Sequence, residues 1–69
     1  MVLKSSVPAE RLEAGDVGTV VHVYEKGVAF EVEFFTLDGR TMSVVTLEAS
    51  QIRPVKRREI THARELATR

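Results

Sequence analysis

Two glutamates set two residues apart, Glu31 and Glu33, come nearest to acid–base chemistry in this chain. On a strand, that spacing puts both carboxylates on one face. To work as an acid and a base they need burial or a neighbour that splits their pKa values. The plainer role for the same pair is the solvated face of a strand, or a landing site for a basic segment. His22 falls on the outward side of the preceding strand, near Tyr24. A histidine beside carboxylates can act as a base or a metal ligand. Without cysteine, and with His62 as the second of two histidines, a zinc site is poorly provided for. No Ser or Cys nucleophile is arranged for attack. The expectation is a non-enzyme with no cofactor and no metal.

Basic chemistry concentrates near the end of the chain. Lys56-Arg57-Arg58, with Arg53 just before, can contact phosphates in a salt-dependent way. The run is short, however, and no aromatic residues are interleaved with it for base stacking. Nucleic-acid binding through Arg53, Lys56, Arg57 and Arg58 is therefore the alternative reading. The chain is formally neutral, but the charge is divided. Residues 1–52 carry four bases against eight acids, and residues 53–69 carry six bases against two. A balance of that kind suits a basic segment lying on an acidic surface of its own chain or of a neighbouring copy. Glu31, Glu33, Arg57, Arg58 and Arg64 are the residues expected to meet there.

The elements that must hold these groups are short strands and tight turns. VGTVVHVY, residues 17–24, is dense in β-branched residues. Alternation there predicts Val17, Thr19, Val21 and Val23 toward the core, with Val20, His22 and Tyr24 outward. Gly18 within that strand predicts a bulge or a close backbone crossing. Lys26-Gly27 is a hairpin turn, and AFEVEFF (residues 29–35) follows with a clean period of two: Phe30, Val32 and Phe34 inward, Glu31, Glu33 and Phe35 outward. Asp38-Gly39 is a strong hairpin signal, leading into TMSVVTL, residues 41–47. Val44-Val45 breaks the alternation there and predicts a bulge or a strand covered on both faces. A short first strand beginning at Val2-Leu3, a single helical turn at residues 48–51 and a short strand at 52–55 complete the set. Leu12 is the expected core anchor of the irregular loop at residues 8–14.

Residues 56–69 contain no Gly or Pro, and Ile60, Ala63, Leu66 and Ala67 form one narrow apolar stripe at helical spacing. His62 and Glu65 fall on a polar face, and Glu65 is placed to pair with Arg69. A helix of about 13 residues is marginal alone in water, so it needs a surface to lie on.

The ordered run Leu12-Glu13-Ala14-Gly15-Asp16-Val17-Gly18-Thr19, then Ala29-Phe30-Glu31-Val32-Glu33-Phe34, then Asp38-Gly39-Arg40-Thr41, and finally Gln51-Ile52-Arg53-Pro54 resembles the DUF4926 family of small uncharacterised bacterial proteins. The resemblance spans about residues 2–55. It implies an SH3-like barrel and brings no catalytic residues with it.

The sequence therefore predicts an all-β fold: a small five-stranded SH3-like barrel at residues 1–55 with a C-terminal α-helical extension at 56–69. Domains of this size bury only about 60% of the surface exposed by their unfolded chain. With no disulfide, association is the remaining common way to stabilise one. The expected function is a non-enzymatic binding or assembly module, a homo-oligomer joined through Ile60, Ala63, Leu66 and Ala67 with Val20 and Phe35. An adaptor of immunity or antitoxin type, binding a basic protein partner, is a further alternative. No apolar run approaches the roughly 18–20 residues of a membrane span. The opening residues lack a signal-peptide core, so a soluble cytoplasmic protein is expected.

Overall fold

The computed structural model of the chain describes residues 1–66. It is all-β, with five antiparallel strands: β1 (Val2–Leu3), β2 (Thr19–Tyr24), β3 (Ala29–Phe35), β4 (Thr41–Glu48) and β5 (Ile52–Arg53). They form two sheets, a meander in the order β2-β3-β4 and a two-stranded pair of β1 with β5. One-turn 3-10 helices at Pro8–Glu10 and Ala49–Gln51 punctuate the connections.

The two sheets are tied through the N-terminal strand. Val2 bridges Val17 on the side away from β5. Met1 and Gly18 exchange two backbone hydrogen bonds of 2.9 Å, and Leu3 does the same with Gly15 and Asp16 at 2.8 Å. The strand leaving this junction becomes β2. No strand ladder joins β4 to β5; the turn at Ala49–Gln51 carries the chain between them.

The turns form where the sequence predicts them. Gly27 and Gly39 hold φ of +97° and +90°, angles that glycine adopts without a Cβ penalty. Between the sheets lies one core of Leu3, Leu12, Val32, Phe34, Leu47 and Ile52, with Val7, Val20, Phe30 and Val45 packed against it. Leu12 is thus the loop anchor expected of it, and Phe30, Val32 and Phe34 face inward.

Three expectations are corrected. The first is the face of β2. Val20 pairs with Val32 and His22 with Glu31, so Val21 is an extra, bulged residue. The bulge shifts the alternation: Val20 packs on the core, while Val17, Val21 and Val23 remain exposed. Val20 is accordingly unavailable as an outward association residue. The second is β4, which keeps its alternation through Val44-Val45, with Val45 against the core and Val44 half exposed. Its bulge comes earlier, at Met42, because Phe34 pairs with Ser43 and Phe35 with Thr41.

The third correction is the C-terminal helix. No helix forms in residues 54–66, and β5 ends at Arg53, short of Val55. A turn at Arg57-Arg58 leads instead into a strap without regular structure. The expected stripe is not buried as one face, since Ile60 is 96% exposed. Ala67 and Arg69 lie outside the described residues. The physical reason lies in the partner of His62 and Arg64. Both side chains reach Asp16, and residues two apart do not share a helix face. Satisfying one carboxylate from positions i and i+2 excludes the helix.

Candidate interaction surfaces

Asp16 is the centre of the first surface. Its carboxylate sits in the turn before β2, where Oδ2 accepts the Glu13 N–H at 2.8 Å. Arg64 donates to it twice, Nε to Oδ1 at 2.8 Å and Nη2 to Oδ2 at 2.7 Å. The same Nη2 donates to the Arg11 carbonyl at 2.9 Å, and Nη1 lies 3.6 Å from Glu13. His62 Nε2 stands 3.0 Å from Oδ1, and its ring covers Gly15. A second clasp holds the start of the strap. Arg53 donates from Nη1 and Nη2 to the two oxygens of Glu59, at 2.8 and 2.6 Å, and Glu59 Oε1 also accepts the Lys56 N–H. Bidentate, charge-assisted pairs of this kind are the strong ones.

Part of the basic segment therefore lies on acids of its own chain. Arg64 meets Asp16 and Glu13 rather than Glu31 or Glu33. Arg57, Arg58 and Lys56 are exposed at the turn and make no ion pair among the described residues. Asp16 was absent from the expected site residues. Its signal was the pairing of a turn aspartate with basic residues at i and i+2, far along the chain.

These pairs set a pH dependence. The Arg64 guanidinium, more than any other neighbour, holds the Asp16 carboxyl down from 3.8 to about 2. Arg53 does the same for Glu59, from 4.5 to about 2. Both folded-state values lie below the unfolded ones. Their contribution to strap docking is therefore complete above the unfolded values and is lost as pH falls through about 4 toward 2. Amide exchange in residues 59–66, corrected for its intrinsic rate, is expected to speed up across that window. Asp16→Asn should loosen the strap at neutral pH by about 1 kcal/mol, the upper end for an ion pair near the surface. The check is tryptic cleavage after Arg64, which should quicken roughly fivefold. An unchanged rate would show that the clasp does not hold the strap.

The outer face of the meander is the second surface. His22, Glu31 and Thr46 form one cross-strand row, and Thr19, Glu33 and Val44 the next. The hydrogen bonds of both glutamates stay within the sheet. Tyr24 donates to Glu31 at 3.1 Å, and Thr41 donates to Glu33 at 2.6 Å. The Glu31 carboxylate raises the pKa of Tyr24, whose ring meets His22 edge-on with centroids 4.3 Å apart. None of this places a nucleophile, and among the described residues no three His, Cys, Asp or Glu gather to hold a metal ion. Around the polar rows stand exposed apolar side chains: Phe35 at 51%, Val44 at 50%, and Met42 on the bulge. Phe35 thus faces outward as expected.

Two hollows flank the strap. One of about 160 Å³ lies between Val2, Val17, Val55 and Ile60. The other, about 420 Å³, is bounded by Pro8, Leu12, Arg64 and Leu66. Both are open to solvent and shaped by the strap itself. No helix among the described residues is long and apolar enough to cross a membrane.

The model of the family described as "Domain of unknown function (DUF4926)" matches residues 1–54. No curated protein and no solved structure matches the chain.

Proposed function

The chain belongs to the DUF4926 family, and on that premise we propose that it is a cytoplasmic, non-enzymatic assembly module that binds a second copy of itself. We read its five strands as an SH3-like barrel. The contact falls on the open side of the meander, at β4, in place of the C-terminal helix expected from sequence. The observation that carries this reading is β4 itself. It is an outer strand of the sheet, and Met42 and Val44 are exposed on it. Contiguous exposed apolar side chains with a polar surround mark interaction sites.

Light scattering across a concentration series tests it. The mass is expected to rise toward that of a dimer between about 1 and 100 µM, the range of a modest interface. Val44→Lys should keep the fold, because Val44 is half exposed and pairs with Glu33. It should weaken association at least about tenfold by setting a charge in the contact. A monomer at every concentration would sink the reading. Retention on DNA or RNA with a steep salt dependence would instead favour Lys56, Arg57 and Arg58.

A further inference from the structure

We infer that the second copy joins by strand addition: β4 of one chain pairs antiparallel with β4 of the other along their free edges, across residues 43–47. This rests on the association reading above and states its geometry.

In the order β2-β3-β4, the last strand has a neighbour on one side only. Among the described residues, residues 43–47 make backbone hydrogen bonds to β3 and to no other part of the chain. Every second N–H and C=O of that stretch therefore points to solvent, which is a template for another strand. The stretch ends cleanly at Glu48, whose N–H is taken by Gln51 Oε1 at 2.8 Å. Among the described residues its one side-chain hydrogen bond, Ser43 Oγ donating to Glu10 at 2.8 Å, leaves the backbone free.

The opposite edge of the meander does not offer this. β2 is interrupted in mid-strand by the Val21 bulge, and the residues before it are occupied by Met1 and Val2. On β4 the Met42 bulge lies near the start, so residues 43–48 hold unbroken one-to-one register with β3. Natural edges are protected by lysine, proline, inward charges or bulges. Ser43-Val44-Val45-Thr46-Leu47 contains none of these.

The same features select a second copy as the occupant. A neutral, β-branched and regular strand matches this edge, and residues 43–47 are all three. A two-fold axis at Val45 sets Val45 opposite Val45, Val44 opposite Thr46 and Ser43 opposite Leu47. Core-side residues then stay on one side of the joined sheet and outer residues on the other. Such an interface is isologous and closes on itself. No like charges are opposed. At the joint itself Glu48 falls opposite Met42, and Ser43, which bonds Glu10, falls opposite Leu47, while Glu31 and Glu33 lie one strand back on β3. Across the joint they are three strand spacings apart, roughly 14 Å, beyond the screening length of about 8–10 Å.

The test uses the full chain and a second variant, Phe35→Lys. Phe35 is exposed, so the variant folds, and it lies on β3, two strands from the joint. In concentrated protein that scatters as a dimer, alternate amides of residues 43–47 are expected to exchange at least tenfold more slowly than in dilute protein. Phe35→Lys should remain a dimer. A wild-type dimer whose residues 43–47 exchange at the dilute rate, or one that Phe35→Lys dissociates, overturns strand addition. It leaves association standing through stacked faces. A monomer at every concentration overturns both.

Discussion

Phe34→Ala is expected to cost about 3–5 kcal/mol, the range for removing a buried aromatic ring that its surroundings cannot refill. Phe34 is 4% exposed and sits among Leu3, Leu12, Val32, Leu47 and Ile52, residues drawn from both sheets and the loop between them. A chain of 69 residues has a total stability of roughly 3–10 kcal/mol. The loss is thus a large fraction of the whole. Thermal unfolding followed by circular dichroism should show the midpoint fall by roughly 15–30 °C, or no cooperative transition at all. A drop of only a few degrees would mean that the two sheets do not share one core.

Gly18→Val is expected to be nearly as damaging, for the opposite reason. A Cβ at Gly18 would stand 2.6 Å from Val32 Cγ1, 2.8 Å from Phe34 Cε2 and 3.0 Å from the Glu33 carbonyl oxygen. Val32 is fully buried and the carbonyl belongs to a central strand, so neither can move aside. The Gly18 backbone is itself pinned to Met1 by a pair of hydrogen bonds. Overpacking of this kind costs about 1–3 kcal/mol and sometimes more. The loss should appear as a lower denaturant midpoint with an unchanged slope. Gly39 is the converse case. Nothing lies within 4 Å of where its Cβ would be, and its φ of +90° alone calls for glycine.

Much of this fold was legible because its signals are local. Gly27 and Asp38-Gly39 mark turns through their own backbone preferences. The strict alternation from Phe30 to Phe35 marks a strand with one wet face. Gly18 was readable as a close crossing because a glycine inside a β-branched run needs a reason. What was not legible depended on distant partners. The Val21 bulge inverts the faces of β2, yet no residue near it announces an extra position. The stripe of Ile60, Ala63 and Leu66 reads as a helix on spacing alone. The strap forms instead because Asp16, 48 residues from Arg64, offers one carboxylate to two cationic or polar side chains at extended spacing. The candidate surfaces divide the same way. Phe35 faces outward as its place in the alternation requires, whereas Val20 does not, and Glu31 and Glu33 bond within their own sheet instead of to arginines.

The bulge at Val21 also bears on how far assembly can run. A sheet that grows by edge addition becomes a fibre when both of its edges are receptive. In the joined meander of two chains, the β2 strands would be the outer ends. Each of those ends is kinked in mid-strand and already bonded to Met1 and Val2 at its start. In such a pair the Val21 bulge would work as a chain terminator, confining edge addition to two chains.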